Sequence, residues 1–121
     1  MGRPLRLLLV EDHIDSAELL AEMLESHGHK VSIATSVSGA LALASKHEFD
    51  VIVSDVGLPD ASGYDLMQQI RERYPMKGIA VTGSGRASDV ARGREAGFSM
   101  HLVKPVTLRR LEQALEQVAG S

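Results

Sequence analysis

Five short apolar runs punctuate the chain: Leu5 to Val10, Lys30 to Ala34, Asp50 to Ser54, Gly78 to Thr82 and Ser99 to Val103. All but the second are nearly unbroken in Leu, Val and Ile, the pattern of parallel strands covered on both faces. Between the runs the period changes. Ala17, Leu20, Met23 and Leu24 share one helical face, and Asp15 with Glu18 three residues on predicts a capping box at its start. Gly28 stands where helices commonly end in a left-handed residue. Leu108, Leu111, Leu115 and Val118 form one stripe behind Thr107, a suitable N-cap. Segments 37–47, 64–74 and 87–96 fill the remaining gaps. The last ends at Gly97 and is the weakest helix, with Gly93 inside it and a thin apolar face.

Strand starts recur at intervals of about 20 to 28 residues, and the runs do not resemble one another, so this is alternation rather than a repeat. Strict strand–helix alternation implies an α/β architecture with a parallel sheet, right-handed crossovers and helices on both faces. Five units in 121 residues suit one doubly wound, flavodoxin-like (βα)5 domain over residues 1–121, with strand order 2-1-3-4-5. In such sheets ligands bind beyond the carboxyl ends of the strands.

Composition narrows the function. With 44% hydrophobic and 24% charged residues the chain is an ordinary globular one, not disordered, collagenous or coiled-coil. Thirteen basic against sixteen acidic residues argue against nucleic-acid binding, and no Trp with two Phe and two Tyr offers no platform for stacking bases. Apolar runs of about five residues fall far short of the roughly twenty that span a bilayer, and no leader pattern follows Met1. The absence of cysteine excludes a disulfide scaffold, a thiolate zinc site and a thiol nucleophile. The expectation is a cytoplasmic domain without membrane contact.

Glu11 and Asp12 follow the first strand, Asp55 the third, Thr82 ends the fourth, and Lys104-Pro105 follows the fifth. In the order 2-1-3-4-5 these strands are neighbours, so three carboxylates, a hydroxyl and an ammonium converge. Carboxylates held together repel unless a cation neutralises them. Hard oxygen ligands with room for water suit Mg²⁺. A carboxylate beside that ion can accept a phosphoryl group as an aspartyl phosphate, with a lysine and a hydroxyl to neutralise its oxygens.

Glu11-Asp12, Asp55-Val56-Gly57-Leu58-Pro59-Asp60 with Gly63, Thr82, and Lys104-Pro105 together resemble the response-regulator receiver domain over essentially the whole chain. The resemblance implies that Asp55 takes a phosphoryl group from the phosphohistidine of a histidine kinase or histidine phosphotransfer domain. It also implies Mg²⁺ on Asp12, Asp55 and the Gly57 carbonyl, with Glu11 acting through water. Thr82 and Lys104 would contact the phosphoryl oxygens, and the Lys104–Pro105 bond would be cis. Catalysis would be limited to phosphotransfer and slow autodephosphorylation. The switch position three residues before the lysine, often Tyr or Phe in the family, is His101 here. With Thr82 it forms the expected switch pair. The wording around Asp55 and Lys104 is most similar to receivers of hybrid histidine kinases, and either a stand-alone regulator or such a receiver fits. A receiver-like binding module that signals without phosphorylation is the alternative.

Other residues read more plainly. His27, His29 and His47 lack a third ligand at metal spacing and are expected as solvated turn residues. Asp60 to Gly63 is expected as turn chemistry. Gly83-Ser84-Gly85 is expected as a mobile loop, since no Lys-Ser/Thr follows to make a nucleotide P-loop. Arg86, Arg92, Arg94, Arg109 and Arg110 give the last two helices a basic cast, and these helices with the last strand are the candidate homodimer face. A flavodoxin-type carrier is disfavoured because Glu11-Asp12 would repel a flavin phosphate. A haloacid-dehalogenase-type phosphatase wants Asp two residues after its nucleophile, where this chain has Gly57.

Overall fold

The five apolar runs become a five-stranded parallel sheet in the order 2-1-3-4-5, with the first, third and fourth runs inside it and the second and fifth at its edges. A computed structural model describes residues 3–120. In chain order the elements are β1 (Arg6–Val10), α1 (Ile14–Ser26), β2 (Lys30–Ala34), α2 (Val37–Lys46), β3 (Val51–Asp55), α3 (Gly63–Arg73), β4 (Lys77–Thr82), α4 (Ala87–Ala96), β5 (Met100–Val103) and α5 (Leu108–Ala119). Alternate strand residues feed two cores. Leu8, Val10, Ile52 and Ala80 pack on one side with Ala40 of α2, Leu66 and Ile70 of α3, and Phe98. Leu7, Leu9, Val51, Val53 and Ile79 pack on the other with Ala17 and Leu24 of α1 and Leu111 and Leu115 of α5. Each fully buried Leu or Ile contributes about 1.5–3 kcal/mol of transfer free energy, so a nearly all-aliphatic core suffices.

The helix ends show where local signals prevailed. Thr107 caps α5 by accepting from the Arg110 N–H, and Gly28 and Gly97 carry positive φ after α1 and α4. The expected Asp15–Glu18 capping box is not formed. α1 starts at Ile14, and His13 caps it by accepting from Ser16 N–H at 3.3 Å, so Asp15 lies inside the first turn. A charge near the helix dipole is still favourable there. A capping box does open α3, where Ser62 and Asp65 each bond the other's backbone N–H.

His29 is buried, contrary to the expected solvated turn, because α5 folds against the end of α1 and brings Glu112 to it. Its Nδ1 accepts the Leu5 N–H at 3.0 Å, which leaves the proton on Nε2 for Glu112 Oε1 at 2.7 Å. His27 Nδ1 lies 2.8 Å from the other oxygen of the same carboxylate. These two histidines are a clasp between α1 and α5.

At the amino end of the sheet, Asp50 accepts the Arg6 N–H at 2.7 Å and faces its guanidinium at 3.3 Å. Burial opposes the Asp50 carboxylate, but these bonds outweigh it and hold its pKa below the ordinary range. A depressed folded-state pKa gives stability that is present above the unfolded value of about 3.9 and lost as pH falls through the lower folded value. Asp50→Asn should therefore be less stable near neutrality and show a shallower loss of stability below about pH 4. Urea midpoints measured across that range check it, and parallel curves for the two proteins would remove Asp50 from the acid transition.

Candidate functional site

The carboxyl ends of β1, β3 and β5 bring Glu11, Asp12, Asp55 and Lys104 together. Lys104 Nζ lies 2.8 Å from Asp55 Oδ2 and 3.8 Å from Glu11 Oε1. Glu11, Asp12 and Asp55 each offer an oxygen within 4.8 Å of the others. Glu11 and Asp55 are largely covered, with 17% and 11% of their side chains exposed, while Asp12 faces solvent. Asp55 Oδ1 accepts the following Val56 N–H at 3.1 Å.

Burial first, then the Asp55 hydrogen bond and charge, push Glu11 up to about 7, with Asp12 adding and Lys104 opposing. Burial also works against the Lys104 ammonium, but Asp55, then Glu11 and Asp12, outweigh it and raise its pKa. One ammonium thus faces three carboxylates. Among the described residues, Glu11 Oε2 is buried with no hydrogen-bond partner. An orphaned carboxylate oxygen beside two more carboxylates is a donor set that a hard divalent cation would satisfy.

The backbone around Asp55 is drawn tight. Gly63 N–H donates to Val56 C=O at 2.7 Å, and Gly57 bridges Ser62. A Cβ at Gly63 would run into the Asp55 carbonyl oxygen and come within 2.9 Å of Val56 Cα, so only glycine permits this approach. Lys104 N–H donates to Thr82 C=O at 2.7 Å, fixing the stem of the lysine, and the Lys104–Pro105 peptide is cis.

Thr82 Oγ1 accepts the Ser84 N–H at 3.2 Å, and His101 Nε2 lies 2.9 Å from the Ser84 carbonyl oxygen. Ser84 Oγ donates to Asp89 at 2.6 Å. In the Gly83–Gly85 loop, expected to be mobile, Ser84 is bonded to the side chains of Thr82, His101, Asp89 and Arg86. Ser84–Asp89 is local, five residues apart, whereas His101–Ser84 joins separate segments, which local sequence does not announce. Asp60, expected as turn chemistry, also bonds outside its own loop. Its carboxylate bonds the start of α2, and proximity in the chain gave no signal of that partner. Ser62 is the N-cap of α3, and the signal for it in the sequence is its place three residues before Asp65.

The family model described as the response regulator receiver domain matches residues 7–116. The chain belongs to the response-regulator receiver family. This receiver is 36% identical over 124 residues to the virulence sensor protein BvgS of Bordetella bronchiseptica, an alignment covering 96% of this chain and 10% of that protein. It is 37% identical over 110 residues to the sensor histidine kinase RcsC of Escherichia coli K12, covering 90% of this chain and 12% of that one. The receiver therefore spans about a tenth of the length of these curated relatives, which are sensor proteins, as the wording around Asp55 and Lys104 implied. A solved receiver-domain protein from Methanospirillum hungatei JF-1, described as CheY-like, superposes with a TM-score of 0.90 at 28% identity, over 98% of this chain and 95% of that one. Among the described residues no helix is long and apolar enough to cross a membrane.

Proposed function

We propose that this receiver accepts a phosphoryl group from a phosphohistidine onto Asp55 in a Mg²⁺-dependent step. The observation that carries the reading is the contact of Lys104 Nζ with Asp55 Oδ2 at 2.8 Å inside a cluster of three carboxylates. Asp12, Asp55 and the Gly57 carbonyl would hold the ion, with Glu11 reaching it through water. Bound there, the ion supplies positive charge to the transferring oxygens. An Asp55 carboxylate oxygen forms the new O–P bond as the P–N bond of the donor breaks, and the bond electrons stay with the leaving imidazole. Lys104 neutralises charge on the phosphoryl oxygens and Thr82 donates its hydroxyl to one of them.

The donor would be a histidine kinase or a histidine phosphotransfer domain. Supporting that partner, a cleft of about 540 Å³ is lined by Leu19, Leu20, Met23, Pro105 and Val106 beside Asp55 and Lys104. Leu19 in this lining is 59% exposed, an apolar edge suited to the side of a donor helix.

The switch would run through Ser84. If Thr82 Oγ1 turns to the phosphoryl group, Ser84 N–H loses its acceptor, and the Ser84 carbonyl that meets His101 is freed to shift. His101 Nδ1 is buried with no partner among the described residues, so the Ser84 bond is the polar tie of that ring. Acetyl phosphate with Mg²⁺ tests the reading. The protein should gain one phosphoryl group by mass, and gain none when the metal is chelated beforehand or as Asp55→Ala. A protein that stays unmodified while still binding its partner would instead be a phosphorylation-independent module.

A further inference from the structure

The loop joining β3 to α3 carries Gly57, and its tip is fastened to a different helix. Asp60 Oδ1 accepts the Val37 N–H at 2.8 Å and Oδ2 accepts the Ser38 N–H at 3.0 Å. Both N–H groups belong to the open first turn of α2, where no intrahelical acceptor exists. Ser36 Oγ takes the third, from Gly39, at 3.0 Å, and the Ala40 N–H makes the first intrahelical bond back to Ser36. Asp60 thus completes a cap that Ser36 already begins from within α2. Those two N–H bonds hold the Asp60 carboxyl below its ordinary pKa although it is fully exposed, which fits a carboxylate that binds donors rather than solvent alone.

Locally, the six residues Gly57 to Ser62 are closed at their base by the Gly57–Ser62 bridge and the Gly63–Val56 bond. Gly57 itself is exposed, has no side chain to anchor it, and would have open space around a Cβ. Its backbone must therefore be ordered by the rest of the loop. The end of β2, just before α2, is itself tied to the site, since Glu11 N–H donates to Ala34 C=O at 3.0 Å. Asp60 closes this circuit of loops from the other side.

We propose that Asp60 is a positioning residue, which clamps the β3–α3 loop onto the start of α2 and so holds the Gly57 backbone in the conformation that binds Mg²⁺. This rests on the reading of Gly57 as a metal ligand. The test compares Mg²⁺ dissociation constants, urea stability and amide hydrogen exchange for the unsubstituted receiver, Asp60→Ala, Asp60→Asn and Ser36→Ala. Removing an outer partner of a ligand typically costs about 10–100-fold in metal affinity, so Asp60→Ala should bind Mg²⁺ about tenfold more weakly. Exchange should quicken at Val37, Ser38 and Gly57. Ser36→Ala removes a cap from the same helix without touching the loop, and should lose stability while keeping its affinity. Asp60→Asn deletes the same charge but keeps one acceptor, so its loss should be smaller than that of alanine. Equal losses for Asn and Ala would assign the effect to charge and overturn the proposal, as would unchanged affinity in Asp60→Ala. An unsubstituted receiver without measurable Mg²⁺ binding would overturn both this and the reading beneath it.

Discussion

Asp12→Ala should bind Mg²⁺ at least about two orders of magnitude more weakly, beyond the roughly 10–100-fold lost when only an outer partner is removed. It should take up no phosphoryl group from acetyl phosphate, yet unfold at no lower urea concentration than the unsubstituted receiver in the absence of metal. The two effects have opposite signs for one reason. Asp12 is exposed beside Glu11 and Asp55, and three carboxylates face the single Lys104 ammonium. Without a dication, Asp12 adds repulsion to a cluster already short of positive charge. With a dication, the same carboxylate is a ligand that water replaces only weakly. Isothermal titration, phosphorylation by mass and urea melts give the three readings. Normal Mg²⁺-dependent phosphorylation would take Asp12 out of the site.

Lys104→Ala should separate metal binding from switching. Lys104 Nζ is bonded to Asp55 Oδ2 at 2.8 Å, so its ammonium competes with any cation for that carboxylate. Mg²⁺ affinity of the variant should be equal to or higher than that of the unsubstituted receiver. The response to a phosphoryl mimic should nevertheless be lost, because no charge remains to draw the group towards β5 and to couple it to the Thr82 backbone that Lys104 N–H holds. Beryllofluoride should shift the amide resonances of Ser84 and His101 in the unsubstituted receiver and leave them in place in Lys104→Ala. Matching shifts in both proteins would show that Lys104 is no part of the switch, and an absence of shifts in the unsubstituted receiver would refute the switch through Ser84.

The fold was legible because its signals are local and repeated. Unbroken Leu, Val and Ile runs leave no face for water, and the spacing between them admits only crossover helices, so the sheet order follows from few alternatives. The positions of Glu11, Asp12, Asp55, Thr82 and Lys104 were legible for the same reason, since a residue that ends a strand is placed once the strand is placed. What bonds to what was not. Asp60 looks like a turn residue within its own loop, and it reaches Val37 and Ser38 because α2 and α3 pack on the same face of the sheet, which sets the loops before them side by side. His29 looks like a solvated turn residue, and it is buried because α5 lays Glu112 across the end of α1. Ser84 looks like part of a flexible glycine loop, and it is held because β5 lies beside β4 and carries His101 to its carbonyl. By itself the sequence determined which strands and helices form and which side chains stand at the sheet's carboxyl edge, because hydrophobic period and chain order act over a few residues. Only the tertiary structure decided the pairings of Asp60 with Val37, His101 with Ser84 and Lys104 with Asp55, because each of these bonds joins segments far apart in the chain whose approach no local pattern encodes.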